Sequence, residues 1–300
     1  MASDLVECVP NFSEGCRPEV IAAIREAIAA LPGVRILDVH ADPDHNRAVI
    51  SYAVPVDVAV ASGLAAARAA LAHIDLRRHA GVHPRIGALD VFPFVPLGEL
   101  PMARCVALAE ELGERIGTEL GIPVYLYEAA ARRPGRVNLE RVRAGGFEGL
   151  REAIRSDPER LPDFGPDHLH PTAGAVAVGA RRPLIAFNVT LGTADPGAAE
   201  AIARAVRHSS GGLRHVKALG LALPSGGITQ VSMNLTDYRR TGLVRVMDLI
   251  RAEATRWGVP VIGAEIVGLV PEDALLDAAE AFLGLRGFSR DRILERRLRG

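Results

Sequence analysis

Residues 5–53 read LVECVPNFSEGCRPEVIAAIREAIAALPGVRILDVHADPDHNRAVISYA. Leu5 to Val9 is a short apolar run with the length of a buried strand. Val20, Ile21, Ile24, Ala27, Ile28 and Leu31 then recur at helical spacing, and Pro18 suits a first turn, so Pro18 to Leu31 is predicted to be a helix. Pro32-Gly33 stops it. Val34 to Val39 and Ala48 to Ala53 follow as two strands, so the order is β-α-β-β.

Outward from this stretch the pattern completes itself. Asp57 is placed to cap a helix that runs to about His73. Ala88 to Val95 reads as a strand made irregular by Pro93. Up to about residue 97 the order is β-α-β-β-α-β, the split-βαβ unit. The second half repeats it: strand Leu184 to Val189, helix Pro196 to His208, strands Leu213 to Leu223 and Gly227 to Leu235, helix Leu243 to Trp257, strand Val259 to Val270. Between the halves come a long helix (Met102 to Leu120), a strand (Val124 to Tyr127) and a helical patch from Leu139 to Ile154. The polar, proline-rich stretch SDPERLPDFGPDHLHP, Ser156 to Pro171, reads as the boundary segment, and Phe288 to Gly300 as a charged amphipathic helix. The expected fold is α/β (α+β), with two βαββαβ lobes, residues 1–180 and 181–300, facing each other across a ligand cleft.

Composition narrows the function. Hydrophobic residues make up 49% and charged residues 24%, which excludes global disorder. The net charge is −1, and no basic, aromatic-studded stripe is visible, so no nucleic-acid partner is expected. Lys217 is the only lysine, and the cation population is almost wholly arginine, whose planar forks suit carboxylates. Cys8, Cys16 and Cys105 form no disulfide framework. The first residues lack the pattern of an export signal, and no apolar run is long enough to span a bilayer, so a cytoplasmic protein with no membrane partner is expected.

Four segments could carry chemistry. Pro10-Asn11-Phe12-Ser13-Glu14-Gly15 lies at a strand-to-helix junction, where backbone N–H groups bind an anion, unless the turn is simply capped, with Ser13 bonding a backbone amide and Gly15 taking positive φ. Asp42-Pro43-Asp44-His45-Asn46-Arg47 is turn chemistry leading into a strand. Arg47 there is placed to grip a carboxylate, unless the loop is merely a solvated hairpin. Arg77 to Asp90 packs His79, His83 and Arg85 around Gly81 and Gly87. Gly81 between the histidines, Pro84 after them and the lack of an HExxH glutamate argue against a metal. An imidazole in proton transfer fits better, with flanking cations favouring its neutral form. Pro162 to Pro166 with Asp167, His168 and His170 is a stiff loop that offers Phe164 as a stacking face and Asp163 as an acceptor. GxSxG, GxxxxGK[ST] and GxGxxG are all absent.

Together the blocks VECVPNFSEG, DHNRAV, RHAGVHPRIGALDVFPFVP, PVYLYEAA, PDFGP, RRPLIAFNV, QVSMNLTDY and EIVGLVPEDALLDAA resemble, in this order, the glutamate formimidoyltransferases. The resemblance runs from about Leu5 to Leu298 and ends before any cyclodeaminase region, as in a stand-alone transferase. It implies two ferredoxin-like lobes, a homodimer, and small-molecule substrates bound between the lobes. It also implies a reaction of histidine degradation. A formimidoyl group moves between N5 of tetrahydrofolate, a co-substrate, and the amino group of L-glutamate, with no metal.

The family's G-x-H-P-R histidine, its general acid–base, maps onto His83. Asn11, His45, Asn46, Arg47, His79, Arg85 and Asn188 are expected to contact substrate, with Arg47 and Arg85 on carboxylates and Asn11 and Asn188 on the pterin or the intermediate. The folate loop maps onto Pro162, Asp163, Phe164, Gly165, Pro166, Asp167, His168, Leu169, His170 and Pro171, although it departs from the family after PDFGP. Animal members carry an acid where this chain has His40, so orientation of the catalytic imidazole falls to Asp42 or Asp44 or works differently. Formyl transfer to glutamate and non-catalytic folate or amino-acid binding are the alternatives.

Overall fold

The structure, a computed structural model, describes residues 4–43, 45–81, 84–223 and 227–299. They divide into two compact units, Met1–Arg181 and Arg182–Gly300.

The first unit opens with β1 (Leu5–Cys8), β2 (Asn11–Phe12), α1 (Pro18–Ala29), β3 (Arg35–Asp42), β4 (Arg47–Pro55), α2 (Ala59–His73) and β5 (Leu89–Pro96). β1 and β2 are one strand interrupted at Val9-Pro10. Pro10 has no N–H to give, and Pro93 lies opposite the gap. The carbonyls still work there: Pro93 accepts from Val9 N–H at 3.3 Å and Pro10 from Ile50 N–H at 3.1 Å. This interrupted strand lies between β4 and β5, and β3 pairs with the far side of β4, all antiparallel. The unit continues with α3 (Met102–Leu120), β6 (Val124–Glu128), α4 (Leu139–Val142), α5 (Gly146–Ser156) and β7 (Val176–Ala180). β7 slots between β5 and β6, parallel to both.

Successive side chains along a strand face opposite ways. On β4 the even-numbered Ile50, Tyr52 and Val54 are fully buried in one core with Ile24 and Ile28 of α1 and Ala66 and Ala67 of α2. The Tyr52 hydroxyl meets Ser62 Oγ on α2 at 3.0 Å. A Cβ on Gly63 of α2 would lie 2.6 Å from Leu112 of α3 and 3.1 Å from Phe92 of β5, so glycine lets these elements touch. The odd-numbered Arg47, Val49 and Ser51 therefore face away from α1 and α2.

The second unit contains β8 (Ile185–Leu191), α6 (Pro196–Val206), β9 (Val216–Ala222), β10 (Thr229–Leu235), α7 (Leu243–Arg256), β11 (Val261–Val267), α8 (Glu272–Leu283) and α9 (Leu294–Arg299). Its antiparallel sheet has the order β11-β8-β10-β9. Ile185, Phe187, Val189 and Leu191 face a core with Ile202 and Val206 of α6 and Val246 and Ile250 of α7.

Five expectations need correction. Ser156 to Pro171 is no linker. It packs within the first unit, where Phe164 N–H and Asp163 N–H both donate to Val124 O. Asp57 does not cap α2, which begins at Ala59 behind Val58 with no side-chain cap. The patch from Leu139 to Ile154 is two helices, parted where Gly145 and Gly146 take φ of +84° and +64°. Of the expected helix from Phe288 to Gly300, the described residues hold only a single 3-10 turn and the short α9. The strand β7 has no counterpart in the predicted elements.

Candidate functional site

Across the first sheet, His40, Val49, Asn11 and Val91 stand in register on four neighbouring strands. Residues paired in this way point to the same face, so Asn11 and His40 lie on the side turned away from α1 and α2. Asn11 donates its Nδ2–H to Val9 O at 2.9 Å.

The turn after β2 is closed upon itself. Ser13 donates its hydroxyl to Gly87 O at 2.7 Å and its N–H to Ala88 O at 2.9 Å. The Glu14 carboxylate, 3% exposed, accepts from the N–H groups of Cys16 and Arg17, both at 2.9 Å, and from Arg17 Nε at 2.6 Å. Gly15 N–H goes to Asn46 Oδ1. The N–H groups of Gly15, Cys16 and Arg17 are thus taken by Asn46 and Glu14, whereas the expected cap differs: Ser13 bonds a carbonyl instead of an amide N–H, and Gly15 is not among the glycines with positive φ. Gly15 is required by crowding: a Cβ there would lie 2.3 Å from Asp42 O and 2.5 Å from Arg47 N.

The segment between β3 and β4 crosses this turn. Asp42 accepts from His45 N–H at 3.0 Å, and its other oxygen meets His45 Nδ1 at 2.6 Å. Both oxygens of Asp42 thus meet His45, while Asp44 lies outside the described residues. Asn46 adopts φ +47° and donates Nδ2–H to Ala80 O at 2.8 Å. Arg47 begins β4. Burial lowers its pKa, as does the like charge of Arg143, against the opposing pull of Asp90 and Asp42.

His79 Nε2 lies 2.9 Å from Asn46 O. A carbonyl can only accept, so Nε2 carries the proton and Nδ1 the lone pair. Nδ1 is buried with no partner among the described residues. Burial is the main cause that holds the His79 pKa below its ordinary value, and the charge of Arg85 adds to it. The charges of Glu14 and Asp90 oppose this, so burial and not the flanking cations expected from the sequence is the leading cause. His83, expected as the acid–base, lies outside the described residues. Arg85 is paired with Glu148 at 3.0 Å and leaves a buried Nε without a partner among the described residues.

Two side chains to which the sequence assigns no role join this neighbourhood. Asp90, 2% exposed, accepts from Ile86 N–H at 2.7 Å and pairs with Arg143, whose Nε is also buried without a partner. Arg143 is 53 positions from Asp90. The glycine pair Gly145-Gly146 is the only local hint that the chain turns sharply beside it.

The Pro162–Pro171 segment divides in two. Its first half faces inward. Asp163 accepts from Leu126 N–H at 2.7 Å and pairs with Arg136, and Arg132 covers the Phe164 ring at 4.6 Å. A Cβ on Gly117 of α3 would lie 2.7 Å from Gly165 N, so helix and loop are in direct contact. In the second half Asp167 and His168 are exposed and pair at 3.2 Å, whereas Leu169 is buried in the core. His170 Nδ1 accepts from Ala173 N–H at 3.1 Å, and burial lowers its pKa. The chain beyond it brackets the His79 segment: Leu76 N–H donates to Thr172 O and Ala175 N–H to Ile86 O, both at 2.9 Å.

In the second unit Asn188 lies on the face of β8 opposite α6 and α7. Glu265 Oε1 accepts from Asn188 Nδ2 at 3.0 Å and from Gln230 Nε2 at 3.1 Å. Among the described residues, no three His, Cys, Asp or Glu side chains converge as metal ligands, and no helix is long and apolar enough to cross a membrane.

The arrangement in the first unit supplies a neutral imidazole, buried arginines with unpaired N–H groups, and glycine-permitted close contacts. It suits proton transfer beside a carboxylate-bearing ligand. Comparison with known proteins points the same way. The model of the formiminotransferase domain, N-terminal subdomain, matches residues 5–181, and that of the formiminotransferase domain matches residues 186–290. A glutamate formimidoyltransferase of Thermoplasma acidophilum is 49% identical, with 98% of this chain and 97% of the relative covered. One of Streptococcus pyogenes is 43% identical, with 99% of each covered. A formimidoyltransferase-cyclodeaminase of Rattus norvegicus is 45% identical over 92% of this chain but only 52% of its own length.

Proposed function

Because the chain belongs to the formiminotransferase family, we infer that it catalyses folate-dependent transfer of a formimidoyl group to glutamate. The reaction is 5-formimidoyltetrahydrofolate plus L-glutamate giving tetrahydrofolate and N-formimidoyl-L-glutamate. The near end-to-end match to proteins of that activity carries this reading and disfavours formyl transfer and ligand binding without turnover.

The glutamate ammonium must first lose a proton. Its nitrogen then attacks the formimidoyl carbon, forming a C–N bond and a tetrahedral intermediate. The bond from that carbon to N5 breaks as N5 takes up a proton. One imidazole serves both steps, base first and acid second. We assign this to His83, on the family's G-x-H-P-R pattern. Arg47 binds a substrate carboxylate, a role supported by its lowered pKa and its place at the head of β4. Asn11 and Asn188 bond the pterin or the intermediate, and the exposed Asp167 and His168 of the Pro162–Pro171 segment contact folate.

Each unit is read as a ferredoxin-like lobe, one per family subdomain, with the division at 180/181. The strand orders support this: in each unit the first strand is flanked by the third and the fourth, and the second pairs outside the third. The working enzyme is taken to be a cytoplasmic homodimer.

The test is a turnover assay with 5-formimidoyltetrahydrofolate, with and without L-glutamate, products being identified by mass. Glutamate-dependent release of tetrahydrofolate with N-formimidoylglutamate is expected. Turnover with only a formyl donor would move the substrate assignment, and folate binding without turnover would overturn the enzyme reading. His83→Ala retaining wild-type kcat would remove His83 from its role.

A further inference from the structure

Asn46 is one of three non-glycine residues with positive φ among those described, the others being Glu128 and His215. Asparagine enters this conformation more readily than most side chains, but the position still needs support from its surroundings. Here, besides the turn bond from its own N–H to Pro43 O at 3.2 Å, three hydrogen bonds supply it, and they run to two separate segments. Oδ1 accepts from Gly15 N–H at 2.9 Å, Nδ2 donates to Ala80 O at 2.8 Å, and the main-chain carbonyl accepts from His79 Nε2 at 2.9 Å. Both segments carry glycine where they meet the 42–47 chain. A Cβ on Gly81 would lie 2.7 Å from His45 O and 2.9 Å from Asn46 Cβ, and one on Gly15 would overlap Asp42 O and Arg47 N. The spacing is thus fixed by contact, and the direction by the amide.

An asparagine amide suits this place because it offers an acceptor and a donor on one planar group. Aspartate keeps the acceptor for Gly15 but turns a second oxygen toward Ala80 O. Ala80 stands three residues before His83 in the chain. The hydrogen bonds to Ala80 and His79 therefore act at the entry to the segment that carries the assigned acid–base.

We propose that Asn46 is a positioning residue. It does not contact substrate, as the family resemblance suggested, but fixes the start of the His83 segment and so sets the proton-transfer geometry. The inference rests on the assignment of His83 above. Displacing a reacting group by as little as about 1 Å costs on the order of a hundredfold in rate, so loss of this bridge should appear in kcat.

The experiment is a double-mutant cycle on the full chain, with Asn46→Gly, Asn46→Asp, His83→Ala and Asn46→Gly/His83→Ala. Asn46→Gly keeps the backbone conformation and the carbonyl that His79 meets but removes both side-chain bonds. Asn46→Asp keeps the acceptor for Gly15, loses the donor to Ala80, and guards against a folding defect peculiar to glycine. The expected result is a kcat lowered about tenfold or more in both single variants, KM for either substrate within about twofold of wild type, and faster amide hydrogen exchange over residues 79–81. On the His83→Ala background, Asn46→Gly should change kcat by less than about twofold, because a residue acting through another has nothing left to act on.

A raised KM with kcat kept would make Asn46 a substrate contact and overturn the proposal. So would an equal loss of kcat on both backgrounds, or no change in kcat. His83→Ala with full activity would instead overturn the assignment of His83, and the inference with it. An inactive His83→Ala with unaffected Asn46 variants would overturn the inference alone.

Discussion

The Arg136 guanidinium and the Asp163 carboxylate form an ion pair in which only 5% of either side chain is exposed. Asp163 also accepts from Leu126 N–H, while Arg136 donates to the carbonyls of Glu159 and Leu161 and lies over the Tyr125 ring at 5.0 Å. The pair ties the 158–164 segment to β6. Removing one partner leaves a buried charge uncompensated, which costs about 3–5 kcal/mol. Asp163→Ala should therefore lower the urea unfolding free energy by about that amount, while KM for folate in the folded protein stays within about twofold. A folate-specific loss at unchanged stability would give Asp163 a direct binding role instead.

Glycine at position 15 is a matter of space, whereas at position 98 it is a matter of backbone. A Cβ on Gly15 would overlap backbone atoms of Asp42 and Arg47. At Gly98 nothing lies within 4 Å, but φ is +55°. Gly98→Ala should cost roughly 1 kcal/mol, the price of a left-handed L-residue. Gly15→Ala must displace the 42–47 chain, so its unfolding midpoint should fall further and its activity should fall with it. Equal stability losses measured by urea titration would contradict this.

Arg47 should behave as a binding residue rather than a structural one. Burial and the charge of Arg143 both work against its charged form. Arg47→Ala should leave the melting temperature unchanged or slightly raised. Losing a charge-assisted hydrogen bond to a ligand is worth about 1.5–3 kcal/mol, so KM for glutamate or folate should rise roughly ten- to a hundredfold. A fall in stability with unchanged KM would reverse the assignment.

His79 and His170 give stability a dependence on pH. Burial holds both imidazoles below their ordinary pKa of 6.5. Near that value the unfolded chain takes up protons that the folded chain refuses. Stability is therefore complete above about pH 6.5 and falls as pH drops toward the lowered folded values, at up to about 1.4 kcal/mol per pH unit for each group. Urea titrations at about pH 7.5, 6.5 and 5.5 measure this slope. His79→Gln should flatten it, and an unaltered slope would assign it elsewhere.

Periodicity revealed much of the fold. The apolar spacing of Val20, Ile24 and Ile28 marked α1, and the alternation Ile185, Phe187, Val189 marked β8, because both elements bury one face. β7 escaped notice: Val176 to Ala180 is buried on both faces and short, so it shows no alternation. The proline-rich 156–171 segment looked like a linker because its structure depends on Arg136 and α3, partners far away in sequence. The same holds at the site. His79 and Asn46 were each singled out, but nothing local joins two residues 33 positions apart. Arg143 went unnoticed because a lone arginine in an arginine-rich chain carries no signal until Asp90 is found beside it.

The place of β7 has a consequence for the birth of the chain. β5 emerges long before β7, yet β7 is the neighbour that covers its second edge, and β6 reaches the sheet only through β7. From Pro96 until Ala180 leaves the ribosome, the β5 edge stands open and β6 is made without the strand that joins it to the sheet. Such non-local closure is slow, and an open apolar strand invites pairing with other chains. A nascent chain stalled before Val176 should therefore be held by chaperones or aggregate, and one extended past Arg181 should become protease-resistant in a single step.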